Sequence, residues 1–242
     1  MQNPILTLFT ELLGKVEKTE MALDTVRDEM HERLHNIDPG SFPIVPPHGS
    51  DIYALCRHVL ASSSHILHRI DRCSSCHVIH HETQLNTMLW ELNLQLWNHR
   101  IGYGRAPQTR TMAQWLKACL KHKLSDRCRF CHATMIREYK VLDTPNFMAF
   151  NVFQADNTKL SKNISVPTSQ GEVNFDLVGV IYYGGHHFTC RIITPDGHVW
   201  MNDGRDTGAE CQYDGKLKAT EMDRLRTLGS RSMTVAIYCR GN

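Results

Sequence analysis

The chain has 242 residues, 41% of them apolar and 21% charged, enough for one large domain or two small ones with a substantial core. A formal charge of +2 is nearly balanced, so composition gives no reason to expect nucleic acid or a membrane surface as partner. No apolar run approaches the roughly 20 residues of a membrane span, and no basic-then-apolar leader opens the sequence. The nine cysteines are therefore expected to stay reduced, in the cytoplasm or nucleus.

Helical periodicity covers residues 3–35, carried by Ile5, Phe9, Leu12, Leu13 and Val16, then by Met21, Leu23, Val26, Met30 and Leu34. Pro39-Gly40, Pro43, Pro46-Pro47 and Gly49 predict a loop over 36–50. Asp51 then caps a short helix reaching about Leu60. Residues 65–70 read as a strand running into Cys73-Ser-Ser-Cys76. Met88, Trp90, Leu92, Leu94 and Leu96 alternate with mostly polar residues, a half-buried strand that Gly102 and Gly104 close. Met112, Trp115, Leu116, Cys119 and Leu120 predict a helix with Thr111 as its cap, followed by Cys128-Arg-Phe-Cys131. From Tyr139 onward strands dominate, at 147–153, 175–183, 187–194, 198–201 and 233–239. Pro195-Asp196-Gly197 marks a hairpin turn.

Each CxxC pair forms a knuckle, and two knuckles supply four soft ligands, the tetrahedral set that Zn²⁺ prefers. Cys73, Cys76, Cys128 and Cys131 are thus expected to hold a structural zinc that joins distant segments. Both pairs continue into histidine, His77 and His132, which is also the c-type haem attachment pattern. A dihaem cytochrome would require export, so zinc is the stronger reading and the two histidines are taken as solvated knuckle residues.

A second constellation lies toward the carboxyl side. A strand arrives at Gly184-Gly185, and His186-His187 opens the next. The two glycines allow another backbone or a substrate chain to approach closely, and His187 can serve as a general base. Asn202 or Asp203, across the hairpin, can hold the imidazole in one tautomer. If Asp196 and Gly197 form a two-residue turn, Arg191 pairs with Asn202, and His187, Thr189, Arg191 and Asn202 share a face. A one-residue bulge exchanges Asn202 for Asp203. On spacing alone, a surface hairpin with incidental histidines is the simpler reading.

Taken in order, these pieces resemble the ubiquitin-specific proteases, papain-like thiol isopeptidases. Asp51-Ile-Tyr-Ala-Leu is similar to the family's Asp-x-x-Glu-Phe helix, without the Glu-Phe. The succession strand, CxxC, strand, helix, CxxC resembles its zinc-bearing fingers. The segment from Thr144 to Phe153 resembles the strand that follows the second knuckle. Gly184-Gly-His-His-Phe-Thr resembles the Gly-His-Tyr box, and Trp200 to Asp203 a shortened Trp-x-x-Phe-Asp/Asn-Asp box. Thr234-Val-Ala-Ile-Tyr resembles the closing strand.

The resemblance implies an α+β papain-like fold in one incomplete domain: a helical region over 1–62, zinc-bearing β fingers over 63–140 and an antiparallel β palm over 141–242. It implies ubiquitin or a ubiquitin-like modifier as partner. It assigns His187 as general base with Asn202 or Asp203 beside it, and Gly184, Gly185 and His186 to the channel for the modifier's tail. The family's nucleophile sits in a Gly-Asn-Thr-Cys box upstream of the Asp-x-x-Glu-Phe helix. Nothing before Asp51 matches that box, and the first cysteine is Cys56, inside a helix. The chain is therefore expected to be inactive, as a fragment or a pseudoenzyme. Cys56, Cys119 and Cys190 are expected to pack as small hydrophobes.

Overall fold

The structure is a computed structural model, and it describes residues 4–18, 22–44, 51–61, 64–91, 110–153, 158–208 and 210–241. The predicted helix over 3–35 is two helices, α1 (Pro4–Glu17) and α2 (Leu23–Ile37). Breaking the run lets Leu8 and Leu12 of the first share one small core with Val26, Met30 and Leu34 of the second. A continuous helix would have carried the two apolar stripes away from each other. Phe42 and Ala54 close this core, the latter from α3 (Ile52–Val59). Asp51 caps α3 as expected, its carboxylate accepting from the backbone N–H of Tyr53 at 2.8 Å and Ala54 at 3.3 Å.

The remainder is built on one large sheet. Its strands are β1 (Leu67–Cys73), β2 (Ile79–Leu85), β3 (Leu89–Glu91), β5 (Lys121–Arg127), β6 (Thr134–Val141) and β7 (Phe147–Asn151). They continue with β9 (Asn163–Thr168), β10 (Gly171–Gly184), β11 (His187–Ile193), β12 (His198–Asn202), β13 (Gln212–Lys216), β14 (Thr227–Leu228) and β15 (Arg231–Arg240). Two further short strands, β4 (Arg110–Thr111) and β8 (Thr158–Lys159), pair in parallel. The main path runs β13-β12-β11-β10-β9-β6-β1-β2. β15 lies against β10 on one side and β7 on the other. The long strand predicted from Met88 to Leu96 is described only as β3; residues 92–109, with Gly102 and Gly104, lie outside the described residues.

Pleating gives strands β7, β15 and β10 a shared pair of faces, and each face is covered. One carries Phe150, Ala236, Val180 and Tyr182. It packs beneath helix α4 (Met112–Leu120) and the 3₁₀ helix Ala219–Arg226. Helix α4 buries Met112, Trp115, Leu116, Cys119 and Leu120, the predicted i, i+3, i+4, i+7, i+8 stripe, and Thr111 forms a full capping box with Gln114. Edge-to-face rings run through this layer, from Trp90 to Trp115 (6.5 Å), Phe150 (6.0 Å) and Tyr238 (5.5 Å). The opposite face carries Ala149, Val235, Ile237 and Ile181, which pack against Cys56 of α3. Among the described residues no helix is long and apolar enough to cross a membrane.

Candidate functional site

The two knuckles come together because of strand order. β5 and β6 form one antiparallel hairpin, β1 and β2 another, and β6 pairs with β1 so that Cys73 lies opposite Met135. Strand β1 ends where β6 begins, which puts both CxxC turns at the same end of the four-strand unit. Each turn is closed by its own backbone: Cys73 N–H donates to Val78 O (3.0 Å), and Cys128 N–H to Ala133 O (2.9 Å). His77 and His132 take φ of 60° and 56°, the left-handed conformation that reverses the chain after the second cysteine.

All four Sγ atoms lie within 4.8 Å of one another. Neighbouring sulfurs are 3.3 Å (Cys73–Cys131), 3.7 Å (Cys76–Cys128) and 3.6 Å (Cys131–Cys76) apart. A tetrahedral thiolate site with metal–sulfur bonds of about 2.3 Å would place sulfurs about 3.8 Å apart, so the donor set fits a metal ion. Charge supports the same conclusion. Burial opposes ionisation of Cys128, yet the backbone N–H groups of Cys131 and Phe130 and the His80 ring bring its thiol down to about 5. The Val78 backbone N–H favours the Cys76 thiolate, but Cys73, burial and the other two thiols outweigh it and push Cys76 up to about 12. Four thiolates cannot coexist without a cation between them. Convergence on a single point also leaves no separate haem pocket at each CxxCH.

At the other end of the path, β10 turns into β11 through Gly185 and His186, with φ of 61° and 56° and Gly184 paired to His187. Two consecutive left-handed residues make this a type I′ turn, which matches the twist of the strands it joins. Strand alternation puts His187, Thr189 and Arg191 on one face. The next hairpin differs from the predicted register. Cys190 pairs with Asn202 and Arg191 with Met201, because the turn spans Pro195, Asp196 and Gly197 rather than two residues. Gly197 N–H donates to Thr194 O (2.8 Å) and Gly197 has φ of 87°, a type I turn with a following left-handed glycine. Pro195 fits position i+1 of that turn but could not donate in the ladder the two-residue turn would have required.

The one-residue shift exchanges Asn202 for Asp203. Nε2–H of His187 donates to Oδ1 of Asp203, and the two form an ion pair when the ring is protonated. Asp203 is 4% exposed. Its other oxygen, Oδ2, lies 3.2 Å from Nη2 of Arg231, and Arg205 N–H donates to Oδ1 at 3.3 Å. Burial raises the Asp203 carboxyl, but the His187 bond, the His187 charge, Arg205 and Arg231 together hold it below the ordinary carboxylate range. Asn202 points to the other face, its amide donating to Gly208 O (3.1 Å) and Glu210 O (3.0 Å).

No motif in the sequence marks Arg231. It belongs to β15, and it reaches Asp203 because residue 184 is glycine: a Cβ there would sit 3.0 Å from the Cα of Arg231. In this structure Gly184 thus accommodates the neighbouring strand, while Gly185 and His186 form the exposed tip of the turn.

With Nε2 committed to Asp203, Nδ1 is the ring nitrogen left to exchange a proton with another group. Asp203 is the only side-chain partner of His187 among the described residues. No cysteine is placed to meet it. Cys56 packs under Ile181 and Val235, on the face opposite His187, and burial followed by the Asp51 charge pushes its thiol up to about 11. Cys190 alternates away from His187 and is raised by burial and by Cys211, against the Asn202 backbone N–H. Cys119 lies in the α4 core.

No family model matches the chain, and no curated protein matches it. Solved structures do. A chain of the yeast SAGA DUB module carrying an Sgf73 variant matches over 90% of this chain and 49% of its own length, at 10% identity and a TM-score of 0.50. The SAGA Ubp8/Sgf11/Sus1/Sgf73 DUB module bound to ubiquitin aldehyde matches over 90% and 49%, at 9% identity and a TM-score of 0.47. The same module bound to monoubiquitin matches over 74% and 40%, at 11% identity and a TM-score of 0.46. The chain thus spans about half the length of the structures it resembles, and the fold is ubiquitin-specific-protease-like.

Proposed function

We propose that this chain is a ubiquitin-specific-protease-like domain that binds ubiquitin or a related modifier and does not itself cleave isopeptide bonds. The observation that carries the reading is the His187–Asp203–Arg231 arrangement, set at the hairpin end of a sheet with this fold. Asp203 fixes the imidazole through Nε2 and leaves Nδ1 as the atom that would take a proton from a thiol. None of the nine cysteines supplies that thiol, and a base without a nucleophile performs no acyl transfer. Gly185 and His186, at the turn tip beside His187, are the residues we assign to contact with the modifier's tail.

Cys73, Cys76, Cys128 and Cys131 would hold Zn²⁺, which bound there supplies cross-linking rather than chemistry. The four-strand unit it closes is the surface we assign to the modifier's globular body. The chain would work in the cytoplasm or nucleus, where its thiols stay reduced.

The reading is tested with a ubiquitin carrying a carboxyl-terminal propargylamide electrophile and, separately, with unmodified ubiquitin by titration calorimetry. We expect no covalent adduct and measurable reversible binding. An adduct mapped to any cysteine would show a working nucleophile and overturn the inactive assignment. Absence of binding to ubiquitin and to related modifiers at millimolar concentration would overturn the partner.

A further inference from the structure

Beside the four sulfurs stands one more ring. His80, near the start of β2, brings Nε2 to 3.2 Å from Sγ of Cys128. We propose that His80 is a positioning residue of the metal centre: its Nε2–H donates to the Cys128 thiolate without itself ligating the metal. The proposal rests on the assignment of Cys73, Cys76, Cys128 and Cys131 as ligands.

Three observations separate this role from an incidental contact. The first is the pattern of donors. Cys73 and Cys128 are fully buried, whereas Cys76 and Cys131 are exposed and have water to solvate their sulfurs. The buried sulfur of the first knuckle receives N–H groups from Ser75 at 3.3 Å and Cys76 at 3.4 Å. The buried sulfur of the second receives the equivalent N–H groups of Phe130 and Cys131 and, beyond those, His80 from across the hairpin pair. An ionised sulfur shut away from water needs such donors, since an unpaired buried charge is costly.

The second is the fixing of the ring. His80 lies against Phe130, the third residue of the second knuckle, with ring centroids 5.7 Å apart. Phe130 is itself 73% exposed, and its ring contact among the described residues is with the imidazole that addresses Cys128. The third is the count of ligands. Four sulfurs already complete a tetrahedron, so a histidine at this distance is left an outer role. Donors of that kind orient a ligand and typically alter metal affinity by about 10- to 100-fold.

The experiment uses the full chain loaded with Zn²⁺ or Co²⁺. Zinc affinity is read by competition with a chromophoric chelator for the native chain, His80→Ala and His80→Gln; the amide of glutamine can still donate. The Co²⁺ charge-transfer and d–d bands count the sulfurs. We expect a four-thiolate cobalt spectrum in all three proteins, affinity weakened about 10- to 100-fold in His80→Ala, and most of it restored in His80→Gln.

Equal affinity in all three would overturn the proposal while leaving the metal site intact. A native spectrum showing three sulfurs and one nitrogen would also overturn it, making His80 a ligand. A native chain that binds neither metal would overturn both the proposal and the metal assignment. The native protein alone gives a further reading should His80→Ala not fold. Nitrogen NMR of the zinc form should find His80 protonated at Nε2 and bare at Nδ1, and the reverse tautomer would sink the hydrogen bond.

Discussion

At the knuckle end of the sheet, four cysteine side chains from two hairpins converge within 4.8 Å, a donor set that fits a metal ion. At the His187 end, side chains from β11, from β15 and from the residue just after β12 converge through opposite charges and need nothing added. On the metal assignment the first arrangement is unstable without its ion, because clustered thiolates repel and thiols bond weakly. The second is complete as it stands, because Asp203 is balanced by Arg231 on one oxygen and by His187 on the other. On that assignment one end depends on a small ion for its shape. The other keeps its shape, and Asp203 is the side-chain partner of His187 among the described residues.

The sharpest way to break this contrast is to remove the metal. Chelation, or Cys128→Ser, should abolish zinc binding and loosen β1, β2, β5 and β6. Structural zinc binding is folding energy, on the order of 10 kcal/mol in small zinc domains. Zinc analysis combined with thermal melting checks this. An unchanged melting temperature with unchanged zinc content would show that the cysteines hold no structural metal. The His187 end should be indifferent to the chelator.

That end answers instead to Asp203→Ala, which strands Arg231 and His187 and should cost about 3 kcal/mol, as breaking a buried ion pair does. Urea unfolding reads it as a lowered midpoint at unchanged slope. The pH dependence follows from the depressed Asp203 carboxyl. Its ionisation stabilises the fold above the unfolded carboxylate value of about 3.9. That contribution is lost as pH falls through the lower folded value. Asp203→Ala should therefore flatten the acid side of the stability curve, and an unchanged acid limb would contradict the assignment. Asn202→Ala gives the smallest effect. It removes two exposed hydrogen bonds to Gly208 and Glu210, about 1 kcal/mol at most, and should leave the His187 ring signals where they were.

Asn202 and Asp203 also show where sequence reasoning succeeds and fails. The CxxC pairs, the Asp51 cap and the α4 stripe with its Thr111 cap were legible because each rests on local spacing. The partner of His187 depends on register, and register turned on one residue of loop length. Pro195 held that information: fixed at φ near −65°, it suits a three-residue loop ending in left-handed Gly197 better than a two-residue turn beginning at Asp196. Arg231 was illegible because nothing local marks it. Its role arises from β15 lying against Gly184, a contact made only in the folded sheet. His80 was missed for a related reason: the histidines adjoining the knuckles carry the local signal, while the ring that meets Cys128 comes from the next strand.

Among the described residues, every non-glycine with a left-handed backbone is a histidine: His77, His132 and His186. Glycine would adopt these turns more easily, since the left-handed region costs an L-residue roughly 1 kcal/mol. Each imidazole is thus carried at a small loss of stability, and backbone and side chain can be tested apart. His186→Gly should make the chain slightly harder to unfold. If it also weakens the proposed binding of ubiquitin, the ring serves recognition; if binding is untouched, His186 is only the bend in the chain.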